Sequence, residues 1–328
     1  MKNLFKTSFA GINLSNPIII GSSGLTNTAD KNKELERAGV GAVVLKSLFE
    51  EQIAIQSDVL KNEQNEYFPE AEDYIYNYIK NNQVSVYLEL IQETKQKCSI
   101  PVIASINCYH DDSWIDFAHQ IERAGADGIE LNIFALNTDR NADRDSLEKL
   151  YLRITRKVKE VVSIPVIVKM SKYFSHLIGL IDDLDAAGVD GVVLFNRFSQ
   201  PDININHLQV SSGSLFSSHT DISDTLRWTA IVNGKLPQVS LASSTGIHDA
   251  EDIIKCLLCG ASAVEICSAL YQHGNEIIGA MKSSIEEWMT GMHFRSIADF
   301  RGVMNGKEIS DTSLYERVQF MKYFSNRD

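Results

Sequence analysis

Proline is scarce in this chain, with 6 among 328 residues. Together with 19 glycines, 44% hydrophobic and 23% charged residues, that composition excludes a disordered or fibrous protein. Long apolar runs are missing as well. None reaches the roughly 20 residues a bilayer-spanning helix needs, so no membrane span is expected. The opening Met1-Lys2-Asn3-Leu4-Phe5-Lys6 lacks the long apolar core of a secretory signal. Positive charge is in deficit: 31 basic residues face 43 acidic ones, a net charge of −12, and nucleic acid is not an expected partner. Cysteines are few and odd in number, five, mostly inside apolar stretches. A reducing, cytoplasmic setting with free thiols is the expectation.

What is present in abundance is repetition. A helix ending in a small residue and Gly, a short turn, then a buried strand, recurs four times. The copies are Ala38-Gly39-Val40-Gly41-Ala42-Val43-Val44-Leu45-Lys46, Ala124-Gly125-Ala126-Asp127-Gly128-Ile129-Glu130-Leu131-Asn132, Ala187-Gly188-Val189-Asp190-Gly191-Val192-Val193-Leu194-Phe195 and Cys259-Gly260-Ala261-Ser262-Ala263-Val264-Glu265-Ile266. Gly suits the left-handed residue that closes a helix, and the β-branched run suits a strand buried on both faces. A second pattern interleaves: Ile100-Pro101-Val102-Ile103-Ala104, Ile164-Pro165-Val166-Ile167-Val168 and the looser Leu236-Pro237-Gln238-Val239-Ser240-Leu241. Proline is tolerated at the first residue of a strand. With Pro17-Ile18-Ile19-Ile20 in front, eight strands result. Amphipathic helices over Trp114–Arg123, Ser146–Val161 and Asp249–Leu258 lie between them.

Eight strands alternating with helices predict an α/β fold, a (β/α)8 barrel, with a doubly wound sheet as the alternative. Phe5–Leu14, turning at Ala10-Gly11, predicts a small hairpin plugging the barrel floor. No linker interrupts the pattern, so residues 1–328 are expected to form one domain.

In such a barrel the chemistry sits where strands end. The ends read Gly21-Ser22-Ser23-Gly24, Lys46-Ser47, Ser105-Ile106-Asn107, Glu130-Leu131-Asn132 with Asn137 beyond, Lys169, Asn196-Arg197, Ser243-Ser244-Thr245-Gly246 and Cys267-Ser268. Two lysines and three asparagines closing apolar strands are costly unless something pairs with them. The Ser/Thr/Gly loop at 243–246, leading into a helix, offers backbone N–H groups to a phosphate. Spacing alone reaches a phosphorylated ligand held over two lysines.

The chain resembles the class 1 dihydroorotate dehydrogenases, the soluble flavin barrels of pyrimidine biosynthesis. The resemblance runs from Phe9-Ala10-Gly11-Ile12-Asn13-Leu14-Ser15-Asn16-Pro17 through Val43-Val44-Leu45-Lys46-Ser47, Ile129-Glu130-Leu131-Asn132 and Val166-Ile167-Val168-Lys169. It continues to Leu257-Leu258-Cys259-Gly260-Ala261-Ser262-Ala263-Val264, Ser268-Ala269-Leu270-Tyr271 and Ser296-Ile297-Ala298-Asp299-Phe300-Arg301-Gly302. It implies a homodimer with bound FMN, and an oxidation in which C5 of dihydroorotate loses a proton while C6 delivers hydride to the flavin. By position, Lys46 would lie beside flavin and substrate, and Lys169 would stabilise negative charge on the reduced ring. Asn132 would touch both ligands, and Asn137 and Asn196 would hold the pyrimidine. Ser22, Ser23, Gly24 and Ser47 would line the flavin. Ser217, Ser244, Thr245, Gly246, Cys267 and Ser268 would receive its phosphate end. No metal is implied.

The sequence departs from the family in five places, two of them at the phosphate end, where Thr245 and Cys267 each replace a Gly. The family loop Asn-Leu-Ser-Cys-Pro-Asn, whose Cys is the base, here reads Asn132-Ile133-Phe134-Ala135-Leu136-Asn137. Ala135 therefore occupies the base position, and Tyr109 and His110 are the nearest substitutes. The family's substrate-clasping loop is replaced by Lys61-Asn62-Glu63-Gln64-Asn65-Glu66-Tyr67-Phe68-Pro69-Glu70. Arg197 follows Asn196 where a small residue is usual. Two readings stay open: dihydroorotate oxidation, or an FMN protein with another small cyclic or anionic substrate or with no turnover. The electron acceptor is open among fumarate, a quinone and an NAD-linked partner. Cys256-x-x-Cys259 reads as buried core cysteines rather than half a zinc motif.

Overall fold

A computed structural model describes residues 4–51, 69–107, 111–309 and 313–316. Eight parallel strands close into a ring: β3 (Ile18–Ile20), β4 (Ala42–Val44), β6 (Val102–Asn107), β7 (Gly128–Asn132), β8 (Val166–Met170), β9 (Gly191–Leu194), β12 (Leu241–Ser244) and β13 (Ala263–Ile266). Pairing of β4 with β6 and of β13 with β3 leaves no edge open, and the short β5 (Leu48–Phe49) adds to β6 beyond the end of β4. Helices cover the outside, including α1 (Ala29–Ala38), α2 (Pro69–Lys97), α3 (Asp111–Ala124), α4 (Ser146–Lys159), α5 (Leu177–Ala186), α6 (Ile222–Lys235) and α7 (Ala250–Leu258). The chain is thus a (β/α)8 barrel.

The four-fold repeat is realised as read. Gly39, Gly125, Gly188 and Gly260 all take positive φ, between 89° and 114°, where a helix gives way to a strand. The looser third copy of the proline pattern differs: Pro237 sits in the turn, and its strand begins only at Leu241. Strand alternation sorts side chains between two cores. Ile18, Ile20, Val43, Leu45, Val102, Ala104, Ile129, Leu131, Val166 and Val168 face outward into the layer beneath the helices. Ile19, Ala42, Val44, Ile103, Ile167, Val193, Ala242 and Ala263 face inward and form the lower interior.

Strands β1 (Thr7–Phe9) and β2 (Ile12–Leu14) make the antiparallel hairpin, whose turn residues Ala10 and Gly11 have φ of 51° and 76°. Phe9, Ala10, Ile12 and Leu14 join the lower interior cluster, so the hairpin closes the barrel floor. A Cβ on Gly191 would meet the Ala10 Cβ at 2.8 Å, which shows how closely the plug fits. Among the described residues no helix is long and apolar enough to cross a membrane.

The floor also carries a repeated polar device. Glu36 at the end of α1 accepts hydrogen bonds from Ser99 N (2.7 Å) and Ser99 Oγ (2.6 Å), just before β6. Glu122 at the end of α3 accepts the same pair from Ser163, at 2.8 and 2.6 Å, just before β8. Asp127 bridges Lys95 and the backbone N–H of Val102, and Asp190 bridges Lys159 and that of Val166. The carboxylates thus satisfy strand-end donors the ring leaves open.

Candidate functional site

Following each strand two residues further along its inward face leads from the apolar floor into a polar layer. After Ile103 come Ser105 and Asn107, after Gly128 come Glu130 and Asn132, after Ile167 comes Lys169, and after Ala263 come Glu265 and Cys267. These residues sit beneath a cavity with two joined lobes, each of about 470 Å³. Ser22, Ser23, Lys169, Asn196 and Arg197 border both lobes.

The first lobe is walled by Lys46, Ser47, Asn107, Glu130, Asn132, Phe134 and Ala135. The ends of β3, β4 and β6 are tied by hydroxyls: Ser22 Oγ lies 2.9 Å from Ser47 Oγ, which lies 2.7 Å from Ser105 Oγ. Where β4 leaves β6, Tyr87 fills the gap, donating to Ser105 O (2.9 Å) and accepting from Ser105 N (2.8 Å). Burial pushes its phenol well above the usual range, so it stays neutral. Asn107 donates to Asn132 O at 2.7 Å, and Asn196 donates to Asn132 Oδ1, making an amide row. The Lys46 ammonium is exposed to the lobe and has no partner among the described residues.

Lys169 is held differently. Its Nζ lies 2.5 Å from Glu265 Oε2 and 3.6 Å from Glu130 Oε1, with both carboxylate side chains 1% exposed. Burial opposes its charge, but the two carboxyls outweigh that and raise its pKa. Burial, and then the charge of Glu265, raise Glu130 well above the carboxylate range.

The second lobe is walled by Ser217, Ser244, Thr245, Gly246, Glu265, Cys267, Ser268 and Tyr271. Thr245 and Gly246 take φ of 79° and 82° in succession. Left-handed backbone is a strained choice for a β-branched residue. Here it is held by Thr245 Oγ1 donating to Phe195 O (2.9 Å) and by Thr225 Oγ1 donating to Ser244 O (2.9 Å). A Cβ on Gly246 would lie 2.1 Å from Ile222 N, so no side chain fits. The resulting turn leaves the N–H groups of Thr245, Gly246 and Ile247 without partners among the described residues. Ser217 Oγ and Ser268 Oγ, 3.1 Å apart, stand opposite. Such a concentration of donors suits the phosphate of a nucleotide-like group. Behind it, burial and then the neighbouring His219 lower the pKa of His248, whose Nε2 lies 3.1 Å from Ser217 Oγ. His219, Asp249 and Asp252 also cluster here, but their atoms are engaged: Asp252 Oδ2 holds His219 Nδ1 (2.9 Å) and His248 N (3.0 Å), and Asp249 caps α7.

At the mouth, Phe134 stacks on Phe198 with centroids 3.9 Å apart, and Tyr173 extends the row at 5.2 Å. Arg197 donates from Nη1 to Ser214 O (2.9 Å) and Leu215 O (3.1 Å), while its Nε is buried with no partner.

Most residues anticipated from sequence converge here, and some do not. Asn137 is exposed and donates to Ser146 Oγ at 2.8 Å, outside the residues lining either lobe. Gly24 opens a short 3-10 turn beside Tyr271 and borders neither lobe. Tyr109 and His110, and the segment 61–68, lie outside the described residues. Sequence reading assigned no role to Glu130, and it missed Glu265 and Glu51, the acidic side chain at the mouth of the first lobe. The signal for the two buried glutamates was strand alternation. Each is a carboxylate on the inward face of an otherwise apolar strand. Cys98, Cys256, Cys259 and Cys267 are free thiols, with Cys256 and Cys259 buried.

A closed barrel whose strand ends gather a phosphate-suited lobe, a buried lysine and an amide row has the layout of a ligand-binding (β/α)8 barrel. Residues 4–289 match the family model described as dihydroorotate dehydrogenase, and the chain belongs to that family. It is 27% identical over 310 residues to the dihydroorotate dehydrogenase B (NAD(+)) catalytic subunit of Thermoplasma volcanium, covering 90% of this chain and 97% of the relative. The catalytic subunit of the same name from Methanocaldococcus jannaschii is 27% identical over 294 residues, covering 84% and 90%. The NAD-dependent dihydropyrimidine dehydrogenase subunit PreA of Escherichia coli is 23% identical over 316 residues, covering 91% and 76%.

Proposed function

We propose that the protein is an FMN-dependent oxidoreductase acting on a CH–CH bond of a small, anionic ring substrate, with dihydroorotate the first candidate. The observation that carries this reading is the two-lobed cavity. One lobe offers backbone N–H groups and hydroxyls at Thr245–Ile247, Ser217 and Ser268. The other offers a planar-ring-sized space over Lys169 and beside Ser22, Ser23, Ser47 and Asn132. The donor set fits FMN: a Gly246 that admits no Cβ for the phosphate, and a buried ammonium for the electron-rich edge of the ring. Bound FMN would supply hydride acceptance. The chain's own residues would bind and orient. Lys46 would meet the substrate's negative charge, and Asn107, Asn132 and Asn196 would hold its amide edges. Phe134 and Phe198 would cover it from water.

A second reading, another small cyclic or anionic substrate, is favoured by two features of the same lobe. Ala135 lines it where a base would be needed, and a methyl group accepts no proton. Arg197 borders both lobes and carries a fixed positive charge, which suits a further anionic group. Anaerobic mixing of the FMN-loaded protein with dihydroorotate separates the readings. Rapid bleaching of flavin absorbance supports dihydroorotate as substrate. A flavin that stays oxidised, yet bleaches with dithionite, supports the second reading.

The names of the relatives, which carry NAD(+) and the word subunit, favour an NAD-linked partner as electron acceptor. A homodimer is supported by the exposed apolar hairpin β10 (Pro201–Asn204) and β11 (Gln209–Ser212), where Ile203, Leu208 and Val210 are 58–87% exposed. Free cysteines are in keeping with a cytoplasmic protein.

A further inference from the structure

Two carboxyls and one ammonium share the closed interior just beneath the first lobe, and their charges do not balance if all are ionised. Glu265 Oε2 is 2.5 Å from Lys169 Nζ and holds the ammonium directly. Glu130 Oε1 is 3.6 Å from the same Nζ, and neither of its oxygens has a hydrogen-bond partner of ordinary geometry. An ionised carboxylate without hydrogen bonds at 1% exposure carries a large desolvation cost, which an ammonium already neutralised by Glu265 offsets only in part. Other groups facing the cluster do not supply the missing charge. Burial lifts the Cys267 thiol to about 11, so it is neutral, and Tyr87 behind β6 is neutral as well. Lys46 and Arg197 line the cavity, and among the described residues neither makes an ion pair with Glu130 or Glu265.

We propose that Glu130, Lys169 and Glu265 form a charge-balanced triad that keeps one proton between its two carboxyls, resting on Glu130, and so fixes Lys169 as an ammonium under the cavity. With Glu130 protonated the triad is neutral. When Glu130 releases its proton to solvent the triad carries one negative charge, and the floor then opposes negative charge in the cavity. Glu130 is therefore a positioning residue that acts through Lys169. On the reading of the cavity as an FMN site, it ties the midpoint potential of the bound cofactor to pH.

The test begins with flavin-free protein. Difference infrared spectroscopy at neutral pH reads the carbonyl stretch of a neutral carboxylic acid, which the triad predicts in the wild type. Either Glu130→Gln or Glu265→Gln leaves one carboxyl facing one ammonium, so that carboxyl ionises and the band disappears in both. Lys169→Met removes the ammonium, and the band grows to about twice the wild-type intensity as both carboxyls take protons. No band in the wild type overturns the proposal. So does a band that persists in either glutamine variant, since burial alone would then be holding the proton.

With FMN bound, the midpoint potentials of wild type and Glu130→Gln should agree at neutral pH and diverge as pH rises, the wild type becoming the more negative. Parallel profiles overturn the functional half of the proposal. Failure to bind FMN would defeat the reading of the cavity and leave the infrared result standing, so the two failures are distinguishable.

Discussion

The two ends of the barrel are built on opposite plans. At the floor, polar contacts repeat: Glu36 with Ser99 is copied by Glu122 with Ser163, and Lys95–Asp127–Val102 by Lys159–Asp190–Val166. At the mouth no contact is copied from one pair of strands to another: residue types recur, as in Lys46 and Lys169 and in Asn107, Asn132 and Asn196, but each makes its own contacts. A contact that recurs at two places on a barrel floor answers a need that recurs there, the unsatisfied N–H groups where strands begin. A residue that appears at one strand end only answers to something that touches that strand end only. Repetition therefore marks the fold, and its loss marks the chemistry.

That contrast yields predictions that can break it. The largest effect is expected at the mouth. If only a base is lacking, Ala135→Cys should raise flavin reduction by dihydroorotate by about 10²–10⁴-fold, with little change in stability. A flat rate would mean that the substrate differs. Next, Gly246→Ala forces a Cβ to within 2.1 Å of Ile222 N at a φ of 82°. Strain of at least about 1–2 kcal/mol is expected. FMN affinity, read by fluorescence titration, should fall by about tenfold or more.

At the floor the effects are smaller and paired. Asp127→Ala and Asp190→Ala each strand a strand-end N–H and a lysine, and each should lose about 1–2 kcal/mol in urea unfolding while cofactor binding is unchanged. If the two losses differ widely, the repeat is one of sequence and not of energetics. The smallest effect is one of pH. Burial opposes ionisation of Glu36, but Lys33 and the two Ser99 donors outweigh it and bring the carboxyl from 4.5 to about 2. The folded state thus binds this proton less readily than the unfolded chain. Its contribution to stability is complete above pH 4.5 and is lost as pH falls toward 2. Glu36→Gln should flatten the acid limb of the stability profile in that window.

The same contrast explains what could be read from sequence. Repeated glycines and prolines wrote the barrel legibly because each obeys a local rule: a left-handed helix end or a strand start without a ladder donor. The hairpin plug was legible from Ala10-Gly11 for the same reason. Strand ends pointed to most of the cavity, since position in the barrel alone brings Lys46, Asn132, Lys169 and Thr245 together. Asn137 escaped that logic. It lies five residues past the end of β7, and there the local partner Ser146 decides where its amide points. Glu265 was concealed in the opposite way. It sits inside a repeat copy that reads as apolar, Ala263-Val264-Glu265-Ile266, and only the inward position two residues from Ala263 separates it from its neighbours.

The most direct test of the account is a titration of flavin-free protein with FMN, followed by quenching of the flavin fluorescence, on the wild type, Gly246→Ala and Asp127→Ala. Saturation at one FMN per chain, weakened at the mouth by Gly246→Ala and untouched at the floor by Asp127→Ala, is the predicted result. No saturable binding by the wild type, or equal weakening by both variants, would contradict it.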